Sequence, residues 1–128
     1  MTNHEANTVM PEEALLQHCA GFAFEKKAIN VVSIDLRGIS PVADYFLICN
    51  GNNAPQAKAI CDHIDDKMET ELGIRPLRVE GYRDARWILM DYGTLIVHIF
   101  QEEEREFYSL ERLWGDAPAY KYEPKQQA

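Results

Sequence analysis

The sequence predicts a single α/β domain with the element order α-β-β-α-β-β-β-α. Three observations carry this prediction. The chain has 128 residues, enough to bury roughly two-thirds of the unfolded chain's surface around one core. Stretches of helical period alternate with short runs of strand length. One of those runs, Tyr45-Phe46-Leu47-Ile48-Cys49, is apolar throughout, as expected of a central strand covered on both faces.

Each element follows from a local signal. Residues 1–10 are polar and read as a flexible tail, without the basic and apolar regions of a secretory signal. Pro11, Glu12 and Glu13 open a helix, because proline suits the first turn and acids suit its positive end. Ala14, Leu15, His18, Cys19 and Phe22 continue it at helical spacing to about Lys27. Val31 to Leu36 alternates partially and reads as a strand, with a turn at Gly38 to Pro41. After the run at 45–49, Asn50-Gly51-Asn52-Asn53 ends the strand and caps a helix that has Pro55 near its start. Ala57, Ile60, Cys61, Ile64, Met68 and Leu72 form its apolar stripe, and Gly73 stops it. Leu77 and Val79 alternate with Arg78 and Glu80 in a third strand. Strands at about 86–91 and 94–100 are joined at Tyr92-Gly93, and a last helix spans about 103–113. The count is five strands. The domain covers 11–116, and 117–128, with its prolines, lysines and glutamines, reads as a flexible C-terminal tail.

Composition narrows the function classes. The net charge is −8, the wrong sign for a protein that gains affinity by neutralising phosphates. An acidic surface suits a basic protein partner, or serves only solubility. No run reaches the ~18 apolar residues of a membrane span. The three cysteines form no C-x-x-C pair, which suits reduced thiols in a cytoplasmic protein.

The hairpin near residues 86–100 has two unlike faces. With a two-residue Tyr92-Gly93 turn, Asp91 faces Thr94, Leu89 faces Ile96 and Trp87 faces His98. One face then carries Trp87, Leu89, Asp91, Thr94, Ile96, His98 and Phe100. The other carries only Ile88, Met90, Leu95, Val97 and Ile99. The purely apolar face suits the core, and the mixed face has the composition of a contact patch. A three-residue loop would mix the faces. Alternatively, Trp87 packs under the last helix.

No spacing makes a usual catalytic site. His98, mid-strand among large apolar residues, suits a structural histidine better than a base. His63 and Cys61 sit two apart on a helix and cannot face one site. The four histidines share no metal spacing, so neither a metal nor a cofactor is expected. Gly51-Asn52-Asn53 is either an anion cradle at a helix start or a turn and cap, and it lacks the phosphate-loop patterns. Asp62, Asp65, Asp66 and Glu69 lie largely off the apolar stripe, as a solvated face would. The acids at 102–106 favour the start of the last helix.

These residues resemble the ribosomal silencing factor family, also called the Iojap family, over about Ile29 to Pro118. The carrying motifs are Asp44-Tyr45-Phe46-Leu47-Ile48-Cys49 with Gly51, Ala59-Ile60 and Val79-Glu80-Gly81. They continue with Trp87 to Gly93, Val97-His98-Ile99-Phe100, and Arg105 with Phe107-Tyr108 and Leu110 to Trp114. The resemblance implies a nucleotidyltransferase-like α/β fold with a mixed sheet. It implies a non-enzymatic factor that binds the large ribosomal subunit through its basic protein fourteen. Joining to the small subunit is then sterically blocked, and translation is repressed under nutrient limitation. Family members are often homodimers that bind the ribosome as one copy. By motif position, Trp87, Leu89 and Asp91 fall at or near the ribosomal-protein contact. Tyr92, His98 and Phe100 lie in the adjoining motif, and Arg105, Tyr108, Leu110 and Trp114 in the helix motif. The chain departs from the family at Asp84-Ala85-Arg86. There Arg83 and Arg86 put positive charge beside a surface meant for a basic partner.

Two other function classes stand beside this one. A nucleotidyltransferase would need two carboxylates two apart on the strand after the Gly51 turn, and that strand offers only Glu80. An adaptor for another complex would use the same patch. Alanine at Trp87 separates a contact role from a core role, since a core tryptophan costs about 3–5 kcal/mol to truncate.

Overall fold

In a computed structural model, described here for residues 11–124, six strands form one sheet in the order β3-β4-β5-β2-β1-β6. The elements run α1 Glu12–Glu25, β1 Ile29–Asp35, β2 Tyr45–Gly51 and α2 Ala54–Leu72. Then come β3 Arg78–Glu80, β4 Trp87–Asp91, β5 Leu95–Gln101, α3 Glu102–Tyr108, α4 Leu110–Leu113 and β6 Ala119–Lys121. The sheet is mixed: β2 and β5 pair in parallel at its centre, and every other pair is antiparallel. A parallel pair needs a crossover, and α2 supplies it.

Both central strands are buried along almost their whole length. On one face α1 and α2 cover them. Leu15, Cys19, Ala23, Ile60, Ile64 and Met68 meet Leu47, Ile88, Met90, Val97 and Ile99 in the larger core. On the other face a smaller cluster of Ile34, Leu36, Phe46, Ile48, Ile96 and Phe100 lies under Leu110 and Ala117. Each large apolar side chain taken from water contributes roughly 1.5–3 kcal/mol. The three cysteines are free and buried, and burial pushes the Cys49 and Cys61 thiols up to about 12. They pack as small apolar groups.

Helix α2 starts as the sequence predicts. The Asn53 side chain accepts from the Gln56 N–H at 2.8 Å. Gly73 closes the helix in the left-handed region at φ 69°.

The fold differs from the sequence expectation in three places. A sixth strand, β6, extends the edge beside β1, so part of the expected C-terminal tail belongs to the fold. The Asp35 N–H donates to the Pro118 carbonyl and the Tyr122 N–H to the Val31 carbonyl. All three β6 residues are exposed, so its backbone holds it and no apolar alternation announces it. Residues 1–10 and 125–128, the rest of the two expected tails, lie outside the described residues.

The hairpin turn sits one residue later than expected. The Tyr92 N–H donates to the Leu95 carbonyl at 2.8 Å, so Gly93-Thr94 is the loop. Gly93 takes φ 90°, which suits a two-residue hairpin with glycine first. Trp87 therefore pairs with Phe100 and Leu89 with His98. The slip shifts each partner by two residues, so the two faces survive intact.

The last helix is two helices. Ser109 stands between them at φ 45°, a left-handed conformation that ends α3 and starts α4 at a new angle.

Before β4 the chain turns at Gly81, at φ 78°, where a Cβ would lie 2.0 Å from the Trp87 carbonyl oxygen. Gly38, at φ 75°, has nothing within 4 Å of the same position. Gly81→Ala is expected to cost more than about 3 kcal/mol and Gly38→Ala about 1 kcal/mol. Urea unfolding midpoints of the two variants check this, and equal costs would refute the close-approach argument.

Candidate partner-binding face

The face opposite α1 and α2 is covered only in part. The α3–α4 elbow and the turn to Ala117 lie over β2 and β5. Strand β4 stays half-covered, with Trp87, Leu89 and Asp91 partly exposed on this side. Phe107, Tyr108 and Leu113 on the elbow are exposed, at 79%, 47% and 69%.

Trp87 organises the patch. Its ring stacks on Phe100 at 4.9 Å between centroids and meets Tyr108 at 4.6 Å. Its indole N–H donates to His98 Nδ1 at 3.0 Å. The indole can only donate, so His98 must be neutral, with its proton on Nε2. Burial acts the same way and lowers the His98 pKa to about 4. Phe46 closes the other side of the imidazole at 4.4 Å, edge-on, and Trp114 packs edge-on against Phe46. The Nε2 atom is buried without a partner. The result is a rigid aromatic floor with Trp87 and Leu89 at its open edge.

The expected contact residues separate into three groups. Trp87, Leu89, Phe100, His98 and Tyr108 come together as one aromatic and aliphatic unit. Within it His98 and Phe100 are buried, so they support the surface from beneath. Asp91 borders the same face and pairs with Arg78 at 3.3 Å. Tyr92 does not join them. It packs on the α1–α2 side with its hydroxyl buried and unpartnered, because it follows β4 directly, an odd number of residues from Trp87, and so points to the opposite face. Arg105 is buried too, with its guanidinium turned inward to Asn30, Asn50 and Glu111. Both open possibilities for Trp87 hold in part: it packs beside Tyr108 of the last helices and keeps one edge exposed. Phe107 and Leu113 are exposed members that sequence pattern missed. Phe107 stands two positions from buried Arg105 on the same helix and so faces away from the sheet, and Leu113 follows the break at Ser109.

Charge around the patch is balanced more finely than composition suggests. Arg86, whose side chain stays largely exposed, pairs with Glu104 at 3.2 Å. Glu102, Glu103 and Glu106 remain exposed on α3. The other motifs serve the fold. The Asn52 N–H is taken by Gln56 Oε1 at 2.6 Å, so the turn after β2 spends a donor on its own chain. Asp62 accepts from the Tyr82 hydroxyl and Glu69 pairs with Arg75. Among the described residues no three His, Cys, Asp or Glu side chains converge as metal ligands would.

The buried imidazole gives a pH signature. The unfolded chain takes up the His98 proton near pH 6.5, and the folded chain only near pH 4. The folded state is therefore penalised as pH falls between those values, by up to about 3 kcal/mol. Ring carbon shifts of His98 are expected to stay those of neutral imidazole down to about pH 5. Titration near pH 6.5 would refute the buried-acceptor geometry.

Known proteins supply the remaining test of kinship. The family described as "Ribosomal silencing factor during starvation" matches residues 9–128. The ribosomal silencing factor RsfS of Halalkalibacterium halodurans is 46% identical over 114 residues, covering 89% of this chain and 97% of its own. RsfS of Bacillus subtilis is 45% identical over 109 residues, covering 85% and 92%. A crystal structure of a Bacillus halodurans protein superposes with a TM-score of 0.73 at 42% identity, over 86% of this chain and 99% of that one. The family match spans every element that builds the aromatic face, and with relatives of this identity and length the chain belongs to the ribosomal silencing factor family.

Proposed function

We propose that this protein binds the large ribosomal subunit through its basic protein fourteen and blocks joining to the small subunit. It acts as a steric factor in the cytoplasm, without catalysis, and represses translation when nutrients are short. One observation carries the reading: Trp87 and Leu89 form a half-open edge on a rigid aromatic floor, beside the exposed acids of α3. Large aromatic anchors with a polar rim are what protein contacts use. The net charge of −8 favours fast encounter with a basic partner at low salt. Asp91 and Tyr108 border the anchor. His98, Phe100, Tyr92 and Arg105 act on the contact from beneath or from the other face. A free homodimer would compete for any shared part of this surface, since the ribosome would take one copy.

Leu89→Arg tests the reading better than alanine at Trp87, which would also strip the His98 hydrogen bond and the Phe100 stacking. Leu89 is partly exposed, so the change is expected to cost at most about 1–2 kcal/mol of stability. It places positive charge where a basic partner would dock. In sedimentation at moderate salt the wild type is expected to travel with isolated large subunits and reduce joining. The folded variant is expected to lose affinity by about 10-fold or more. A folded wild type that ignores large subunits would sink the proposal. Full binding by Leu89→Arg would keep the function and move the contact away from β4.

A further inference from the structure

The α3–α4 elbow has little apolar anchorage of its own. Arg105 is the one residue that α3 buries, and Leu110 the one that α4 buries. A helix of seven residues is not stable alone in water. The joint adds strain, because Ser109 is held at φ 45° and a left-handed non-glycine residue costs roughly 1–2 kcal/mol. Yet this elbow carries Tyr108 onto Trp87 and presents Phe107 and Leu113.

The Arg105 guanidinium accounts for the elbow's position. It donates to the Asn30 carbonyl at 2.6 Å and to Asn50 Oδ1 at 2.9 Å. It also meets both Glu111 oxygens, at 2.6 and 3.4 Å. One side chain thus ties α3 to β1, to β2 and across the joint to α4. The Asn30 carbonyl is available for a local reason. The β1–β2 register shifts between Ile29 and Val32, and Asn30 takes φ 54°. A bulge leaves a residue out of the ladder, so the Asn30 carbonyl is free to accept from Arg105. The planar, five-donor guanidinium can serve all three partners at once, which a lysine ammonium cannot match in geometry.

We propose that Arg105 is a positioning residue for the partner surface: it sets the angle of the elbow, and so places Tyr108 against Trp87 and turns Phe107 and Leu113 outward. This assigns Arg105 an internal role in place of a direct contact. The binding half of the proposal rests on the ribosomal reading above, and the structural half does not.

The test uses Arg105→Met and Arg105→Lys in a Trp114→Phe background, which leaves Trp87 as the single tryptophan. Three readouts are taken where unfolding curves show every variant folded. They are amide hydrogen exchange, acrylamide quenching of Trp87 emission, and affinity for isolated large subunits. Both variants are expected to raise exchange at residues 109–114 by about 10-fold while β2 and β5 amides stay protected. Quenching of Trp87 is expected to rise, and affinity to fall by about 10-fold. A control, Ile60→Val, lowers stability from the opposite face and is expected to bind as the background does. Wild-type exchange and quenching in folded Arg105→Met would overturn the proposal. So would a released elbow with unchanged affinity, or an equal loss of affinity in the control. If the wild type binds no large subunits, the ribosomal reading falls, and exchange and quenching still decide whether Arg105 sets the elbow.

Discussion

The parallel pairing of β2 with β5 is the constraint on which the rest of the molecule depends. Two adjacent strands that are apolar on both sides demand cover on both sides. The molecule meets that demand unequally. α1 and α2, of 14 and 19 residues, cover one face with continuous apolar stripes. The other face receives two short helices, of seven and four residues, and the segment that leads to β6. They are too small to cover four strands. What they leave open is the outer half of β4, and that is where the candidate contact lies.

This division explains why the candidate partner face resembles a core. His98, Phe100 and Phe46 are buried against the elbow, and Trp87 and Leu89 continue the same packing outward into solvent. A surface built this way is pre-organised. Its anchor rings are held by stacking and by the Trp87–His98 hydrogen bond, so little side-chain entropy is lost when a partner arrives. The neutral histidine suits that role, since a charged imidazole could not accept from the indole.

The opposite edges of the sheet are handled differently. β3 is only three residues long, and its Arg78 pairs with Asp91 and Glu80. Short, charged edges resist unwanted strand pairing. β6 is as short, all exposed, and carries Tyr120 and Lys121. These edges fit a protein whose open surface is one half of a sheet face, with the sheet's ends blunted.

Much of this was legible in the sequence, for physical reasons that are local. Asn53, Pro55 and Gly73 mark helix ends because capping and left-handed closure depend on single residues. The apolar run at 45–49 marks a central strand because both of its faces need cover. The two faces of the β4–β5 hairpin were also legible, because side-chain parity survives a register slip of two. Other features are long-range and carry no local signal. The pairing of exposed Ala119–Lys121 with β1 is one, and the choice of Gly93-Thr94 over Tyr92-Gly93 as the loop is another. The inward turn of Arg105 depends on a bulge 75 residues away, which no spacing near Arg105 reveals. The sequence by itself determined the fold class, the core face and the family. Only tertiary structure decided that Tyr92 faces the helices, that the last helix breaks at Ser109, and that Trp87 is held at an open edge. Each of these depends on which atoms meet across the sheet.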